Sequence, residues 1–514
     1  MRYFYFFLLP LLLYAKPFKI ATYNVENLFD ASFQGSEYEQ YVPGKHNWNE
    51  QMVDTKLNHT AEVICDLDAD ILGLQEIENS NILKQLQKRL EEVGCGYQYS
   101  AITTKTNTSI QVALLSRYPI RAHKELVVSH EPNIRNLLEA DVEVQEHFVK
   151  LFVNHWKSKS RGGKESKRII YAKKLEKYIL SLPPGTDYIV MGDLNSDYDA
   201  YLTLNHRLDD TNGQTGINHV LRTVCDEKLL QKDEMSKAQK GSHYNLWQEL
   251  PFVQRWSHKF YGNKSTLDHI VLPAGMFDKK GIDYVNHSFK VFKAPYLFTK
   301  QGYINRWQYD HGKHKGKGYS DHLPVYAFFD TSPYAADKNS QKNKTIVSKP
   351  IEFLYSVESL KEEVLLEDVV VLMKRGNHAL IKQTPNGRGI YLYGCAKGLT
   401  EGRRYDIVAQ NIAMYHGLKE ITHAYRVKEK TKTKTASYFN QNTKVQNEAL
   451  KEIIGIYKGK NFYFNGQTLP IHFKNKKDIP RQGSKLKLHY AHLGYYKQLQ
   501  VVVYNKKDFS IVRE

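Results

Sequence analysis

The sequence predicts a mixed, layered α/β domain as far as Asp330, followed by two small all-β modules. Three observations carry this expectation. Up to Asp330, apolar runs of strand length alternate with amphipathic helical stretches. Beyond it, the chain is mostly short strand-like runs broken by Gly, Pro and Asn. That last part also contains a repeat. Ile390, Leu392, Gly402, Tyr405, Ile407, Tyr415 and Leu418 align at one constant offset with Ile471, Phe473, Gly483, Leu486, Leu488, Tyr496 and Leu499. Short strands with one Gly-led hairpin used twice suggest small barrels of the OB type.

The elements follow in order. Met1-Arg2 precedes an almost wholly apolar or aromatic run, Tyr3 to Tyr14, and then the small residue Ala15. A basic start, a short apolar stretch and a small residue at a plausible cleavage point form a signal-peptide pattern over 1–15. The run is too short to span a bilayer comfortably, with an uncleaved anchor as the alternative because Leu13 suits the −3 position poorly, and no later segment is apolar enough to cross. The expected location is therefore the periplasm or the extracellular space. Phe18 to Tyr23, Ile71 to Leu74, Val112 to Leu115, Phe148 to Val153 and Tyr188 to Met191 predict buried strands. Lys56 to Leu67, Asn81 to Val93 and Ser166 to Leu180 predict helices. The polar, Lys-rich stretch 331–350 is expected to be a linker between the domain 16–330 and a first β module, 351–428. A second polar stretch, 429–446, would separate that module from another at 447–514.

The 514 residues suffice for roughly three domains at about 150 residues each. Hydrophobic residues at 41% and charged residues at 25% exclude a disordered or collagen-like chain. Charge is the unusual quantity. The chain has 73 Lys+Arg against 55 Asp+Glu, a net of +18. From Thr331 onward there are 32 basic and 16 acidic residues, so this tail carries +16. The part before it carries only (73 − 32) − (55 − 16) = +2. A positive tail attracts polyanions. The four cysteines, Cys65, Cys95, Cys225 and Cys395, form no C-x-x-C pair, so a zinc site is not expected. One disulfide, with Cys65–Cys95 the first choice, is compatible with an oxidising compartment.

Polar groups cluster where predicted strands end. Asn24 closes the first strand, Glu76 the second, and Asp193 and Asn195 follow Tyr188–Met191. Asp268 starts another strand, and Asp321 precedes Val325 to Phe329. Glu76, Asp193, Asn195, Asp321 and Asn24 offer hard oxygen ligands, which suit Mg²⁺ or Mn²⁺ better than zinc. His155 and His322 add groups that exchange protons near neutral pH. His269 is expected to be structural, and His311 and His314 to be solvated in their Gly/Lys/His loop.

The ordered series TYNVENLFD (22–30), LGLQEIEN (72–79), LLSRYPI (114–120), VNHWKSK (153–159), VMGDLNS (190–196), STLDHIVLP (265–273) and YSDHLPV (319–325) resembles the endonuclease/exonuclease/phosphatase superfamily, the deoxyribonuclease I-like fold. The resemblance covers about 18–330. It implies a four-layered α/β sandwich of two packed mixed sheets flanked by helices, with the active site at one edge, and metal-dependent cleavage of phosphate esters. It also implies roles: Glu76 as principal metal ligand with Asn24 and Asp321 close by, and Asp193 and Asn195 aligning phosphate and water. His322 would be oriented by Asp268, with His155 as its partner histidine. Which histidine acts as acid stays open. The stretch 154–168 resembles secreted bacterial nucleases in particular and supplies Lys157, Lys159, Arg161, Lys164, Lys167 and Arg168 as a basic rim. Arg117 and Arg135 match basic positions of the family pattern.

Small β-barrels often bind nucleic acid with basic residues on phosphate and aromatics on bases. The tail interleaves Tyr391, Tyr393, Tyr405, Tyr415, Tyr425, Phe462, Tyr463, Phe464, Tyr490, Tyr495 and Tyr496 with Lys and Arg, and about half of these rings are expected in the core. The combined expectation is an exported nuclease, largely without sequence preference, that uses Mg²⁺ (Mn²⁺ and Ca²⁺ as alternatives). It would cut DNA, with RNA as an open second substrate and no obligate protein partner. A sphingomyelin- or phosphoinositide-type phosphodiesterase is the alternative, with Ala294 to Phe298 and Trp247 to Phe252 as candidate membrane-docking stretches. A non-catalytic surface DNA-binding protein is the third.

Overall fold

The computed structural model describes residues 17–160, 162–331, 346–439 and 444–512, so the signal-peptide pattern of 1–15 lies outside the described residues. They divide into two units, residues 1–250 with 254–340 and residues 251–253 with 341–514.

The first unit is built on two mixed sheets. One contains β1 (Phe18–Leu28), β2 (Ile71–Ile77), β3 (Tyr99–Ile102) and β4 (Gln111–Ser116), in the order β1-β2-β4-β3, with Val325–Thr331 antiparallel to β1 on its other side. The other contains β5 (Ile120–Leu126), β6 (Leu137–Val144), β7 (His147–His155) and β8 (Tyr188–Asp193), with Asp268–Leu272 beside β8. β1 and β2 run parallel, and so do β7 and β8. The carboxyl ends of each parallel pair therefore emerge at one edge of their sheet.

Side-chain alternation assigns each strand's two faces. Ile20, Ile71, Val112 and Leu114 meet Leu151, Val153, Ile189, Met191 and Ile270 between the sheets. Ala21, Tyr23, Leu72 and Leu74 face outward onto α1 (Glu50–Leu67) and α2 (Ser80–Glu92), through Val53, Leu57, Ile64, Leu83 and Leu86. On the far side α3 (Ser166–Ser181) covers Phe152, Tyr188 and Val190 with Tyr171, Ala172, Leu175 and Ile179. The result is the expected helix–sheet–sheet–helix sandwich. The close approach of the sheets needs Gly73, where a Cβ would sit 2.9 Å from the Met191 Cε.

α1 starts at Glu50, ahead of the expected Lys56, because Asn49 caps it, accepting from the Met52 amide at 3.0 Å. Asn79 caps α2 in the same way. Cys65, in the last turn of α1, and Cys95, just after α2, are joined as a disulfide with Cα atoms 5.6 Å apart, within the span such a bond bridges. No described helix is long and apolar enough to cross a membrane.

The second unit contains two five-stranded barrels. In the first, Val364–Arg375 pairs with His378–Lys382, which pairs with Gly389–Leu392. That strand runs parallel to Leu418–Lys432, which pairs with Arg403–Tyr415, and the last returns to Val364–Arg375 and closes the sheet. In the second, Ile453–Lys458, Asn461–Phe464, Gln467–Phe473 and Gln498–Val503 repeat the same order, again with a parallel third–fifth pair. The fourth strand is split there into Lys485–Leu488 and Ala491–Tyr496. Residues aligned by the sequence repeat occupy equivalent strands. Tyr391, Tyr405, Phe462 and Phe464 are core, Tyr425, Tyr490 and Tyr495 are half-buried, and Tyr393, Tyr415, Tyr463 and Tyr496 are exposed.

Two expected linkers differ from the structure at their ends. Leu418–Lys432 continues past the expected boundary into 429–446, held by pairing with Arg403–Tyr415. Val347–Ser348, within 331–350, pairs with Val364–Leu365, and Thr331 belongs to the strand Val325–Thr331, while 332–345 lie outside the described residues. Between the barrels, Lys382 and Glu448 form a buried ion pair at 2.8 Å, the Asn447 amide donates to the Lys419 carbonyl at 2.7 Å, and Arg375 pairs with Asp508.

Candidate active site

Two bulges and one glycine aim the polar groups inward. The β1–β2 register shifts between Asn24 and Leu28, and the β2–β4 register shifts between Gln75 and Ile77. Such irregularities re-aim side chains at a sheet edge. Glu26, Asn27 and Glu76 accordingly take left-handed backbone, with φ of 53°, 60° and 69°, as does Asn195 at 47°. Gly192 precedes Asp193 with φ 126°, and a Cβ there would lie 2.1 Å from the Asn154 carbonyl oxygen of the adjacent strand. Only glycine admits that approach.

The groups converge on Asp193. Its Oδ2 lies 3.2 Å from the Asn24 amide, 3.0 Å from the Asn195 amide, 3.5 Å from His155 Nε2 and 4.0 Å from His322 Nε2. Glu76 accepts from Asn24 at 3.0 Å and from the Asn27 backbone at 2.9 Å, and lies 3.8 Å from His155. Asp268 is wholly buried and accepts from His322 Nδ1 at 2.8 Å and from Ser257 at 2.6 Å. That leaves His322 Nε2 facing Asp193 and, at 3.9 Å, Asp321. Ser320 fixes the loop by donating to the Asn24 carbonyl at 2.7 Å.

Burial and the neighbouring Asp321 push the Glu76 carboxyl above its ordinary pKa, and burial raises Asp193 as well. Burial opposes charge on His322, but Asp268, Asp193 and Asp321 outweigh it and hold its pKa well above the ordinary value. His155 moves the other way, through burial and then Arg135, His322 and Lys157. Carboxylates crowded in this way form a donor set that fits a hard divalent ion. Glu76, Asp321 and Asn24 are the groups suited to hold it.

A family model described as "Endonuclease/Exonuclease/phosphatase family" matches residues 19–331. The chain belongs to this family. No curated protein matches it. Among solved structures, this family member resembles D. rerio TDP2 complexed with single strand DNA product, at 15% identity and TM-score 0.38 over 61% of this chain and 99% of that one. It also resembles an AP endonuclease from Archaeoglobus fulgidus, at 14% and 0.37 over 61% and 100%. An endonuclease/exonuclease/phosphatase family protein from Bacteroides thetaiotaomicron matches at 12% and 0.38, over 61% and 98%.

The expected metal and catalytic residues Asn24, Glu76, His155, Asp193, Asn195, Asp268, Asp321 and His322 all lie in this cluster. Within the expected basic rim Arg168 is corrected, while Lys164 and Lys167 are exposed; Arg135 and Arg117, expected as further basic site residues, are corrected too. Arg168 is fully buried, with Nε and Nη2 both 2.7 Å from Glu165 Oε2 and Nη1 on the Lys157 and Gly163 carbonyls. Arg135 is also buried and donates to the carbonyls of His155 and Trp156 at 2.9 and 2.6 Å, so it props up the end of β7. Arg117 pairs with Asp68 and Asp70. It follows Ser116, which pairs with Ile71 at the start of β2, the end opposite Glu76. Lys159 is held by Asp197 at 2.5 Å, and Arg161 lies outside the described residues. Lys157 stays close enough to His155 to depress its pKa.

His269 is structural as expected, bonded to the Ser196 carbonyl and to Asn245. His314 is not solvated: it is buried, accepting from Trp307 Nε1 at 3.0 Å and bonded to the Gln40 carbonyl at 2.8 Å. Trp247 and Leu297, in the candidate docking stretches, are core residues. Three site residues were absent from the sequence expectation. Glu26 is buried and paired with Arg306, which also lies 3.5 Å from Asp321. His258 lies 3.9 Å from Asp321 and bridges to His322 through the backbone. His258, Asp321 and His322 could together hold a metal ion. The only sequence signal was the place of Glu26, just after Asn24; nothing in the periodicity marks Arg306 or His258.

Proposed function

We propose that this family member is an exported, divalent-metal-dependent nuclease that hydrolyses phosphodiester bonds of DNA, with RNA as a second substrate, and with little sequence preference. The carrying observation is the convergence of two imidazole Nε2 atoms and two amides within 4.0 Å of one carboxylate oxygen, Asp193 Oδ2. Glu76, Asp321 and Asn24 would hold a divalent cation, which would supply positive charge to the reacting phosphate. Asp193 and Asn195 orient the phosphate and the attacking water. Asp268 keeps the His322 ring turned so that Nε2 gives or takes a proton at the reacting oxygen, and His155 Nε2 serves the opposite oxygen.

The closed third–fifth parallel topology supports an OB-type reading of both barrels. The tail's charge of 32 − 16 = +16 supports their role in capturing nucleic acid. The Cys65–Cys95 disulfide supports an oxidising compartment, periplasmic or extracellular. The test is to incubate purified protein with supercoiled plasmid, single-stranded DNA, RNA and sphingomyelin vesicles, with Mg²⁺ and with chelator. Mg²⁺-dependent cleavage of nucleic acid is expected. Intact nucleic acid together with hydrolysed lipid sinks the reading.

A further inference from the structure

A short hairpin stands beside His322, and apart from His258 it has no part in the chemistry described so far. His258–Phe260 pairs with Asn263–Ser265 across the tight turn Tyr261-Gly262. Both turn residues have positive φ, 45° and 85°, as in the primed turns that suit such hairpins. Asn, Asp or Gly normally fills the first of these positions. Here it is Tyr261, the one Tyr, Phe or Trp among the described residues with left-handed backbone. A bulky side chain there is costly, and such strain is a pointer to function.

The rings form a series that leads out of the site. The His322 and His258 ring centroids are 4.9 Å apart. His258 and Phe260 follow at 6.4 Å and 20° between planes, and Phe260 and Tyr261 at 4.5 Å. Exposure rises along the series, from 6% at His322 to 53% at Phe260 and 90% at Tyr261. The hairpin carries Lys259 and Lys264 and no carboxylate. Lys259 Nζ sits 5.0 Å from the centroid of a further exposed ring, Tyr303.

We propose that the hairpin His258–Ser265 is a base-stacking subsite for the unpaired nucleotides next to the scissile phosphate, so that single strands and frayed ends are preferred over intact duplex. This rests on the nuclease reading above. An aromatic ring stacks on any base that offers a free face, and lysines beside it track the phosphates. In a duplex those faces are already stacked, and the hairpin has nothing to bind. A lipid surface fits less well: the hairpin holds no aliphatic residue, its one wholly apolar exposed ring is Phe260, and lysines and Asn263 flank it.

The test uses the full chain and a Phe260→Ala/Tyr261→Asn variant, in which asparagine accommodates the turn. Cleavage efficiency with Mg²⁺ is measured on a short single-stranded oligonucleotide, on the same strand made wholly of abasic nucleotides, and on a blunt duplex. Binding to vesicles of phosphatidylcholine and sphingomyelin is measured alongside. The variant is expected to lose roughly 10-fold or more on the natural single strand. Its rates on the abasic strand and the duplex should match those of the unaltered protein. Equal loss on natural and abasic strands, or no loss on either, overturns the subsite while leaving the nuclease reading intact. Vesicle binding that vanishes in the variant, with nucleic acid rates unmoved, assigns the hairpin to lipid and also overturns it. An unaltered protein that cuts none of the nucleic acids overturns the nuclease reading and the subsite together.

Discussion

Replacing Arg168 with methionine should unfold the catalytic domain more easily and leave nucleic acid binding alone. The guanidinium is 0% exposed and shares its charge with one buried carboxylate, Glu165, through two nitrogens at 2.7 Å. It also donates to two carbonyls of the 157–163 loop, while the other oxygen of Glu165 accepts from Gly216 at 2.9 Å. Methionine removes one partner and leaves the Glu165 carboxyl without its counterion in a site closed to water. Breaking a buried pair in that way costs about 3–5 kcal/mol. For a domain of this size the melting temperature should fall by roughly 10 °C. Denaturant melts give the stability, and binding to labelled DNA across a salt series in chelator gives the phosphate contacts. A residue touching one phosphate would lower the salt slope by about 0.9 when removed, with stability unmoved. That pattern would refute the structural role and restore the rim role expected from the sequence.

Asp268→Asn should lower kcat by roughly 10²–10⁴-fold with little change in KM, because the amide no longer fixes the His322 ring; steady-state rates on a plasmid substrate check this. His243 is buried neutral between Tyr188 and the Leu221 carbonyl, with its pKa lowered by burial to about 4. A folded pKa below the unfolded 6.5 means its contribution is complete above pH 6.5 and is lost as pH falls toward 4, about 3 kcal/mol in all. Urea midpoints across that window, compared with His243→Gln, should show the acid-sensitive component disappear. Deleting 346–514 should weaken binding to long DNA and flatten its salt dependence while sparing cleavage of short strands, as filter binding and gel assays would report.

The strand ends carried most of what the sequence revealed about the site. Asn24 and Glu76 stand where bulges interrupt the parallel pair β1–β2, and His155 and Asp193 end the parallel pair β7–β8; parallel strands deliver their carboxyl ends to one edge. Apolar periodicity exposes those ends to view. Arg168 was misread through its charge, although its spacing told otherwise: 168, 171, 172, 175 and 179 are one helical face, and that face is buried. His314 is held by Trp307 and Gln40, the latter far away in the chain, so no local pattern could mark it as core. Arg306 and His258 come from loops and a short hairpin, where neither a helical nor a strand period exists to read. The repeat in the tail did survive folding, because equivalent positions face equivalent barrel interiors.

The buried seam between those barrels has a thermodynamic consequence. Lys382 belongs to one barrel and Glu448 borders the other, and both are sealed from solvent. Neither barrel can melt first without stranding a charge in what remains. A duplicated chain would ordinarily give two independent folding units, each with its own transition. Here the pair should come apart in a single calorimetric step, so that the duplication behaves as one cooperative body.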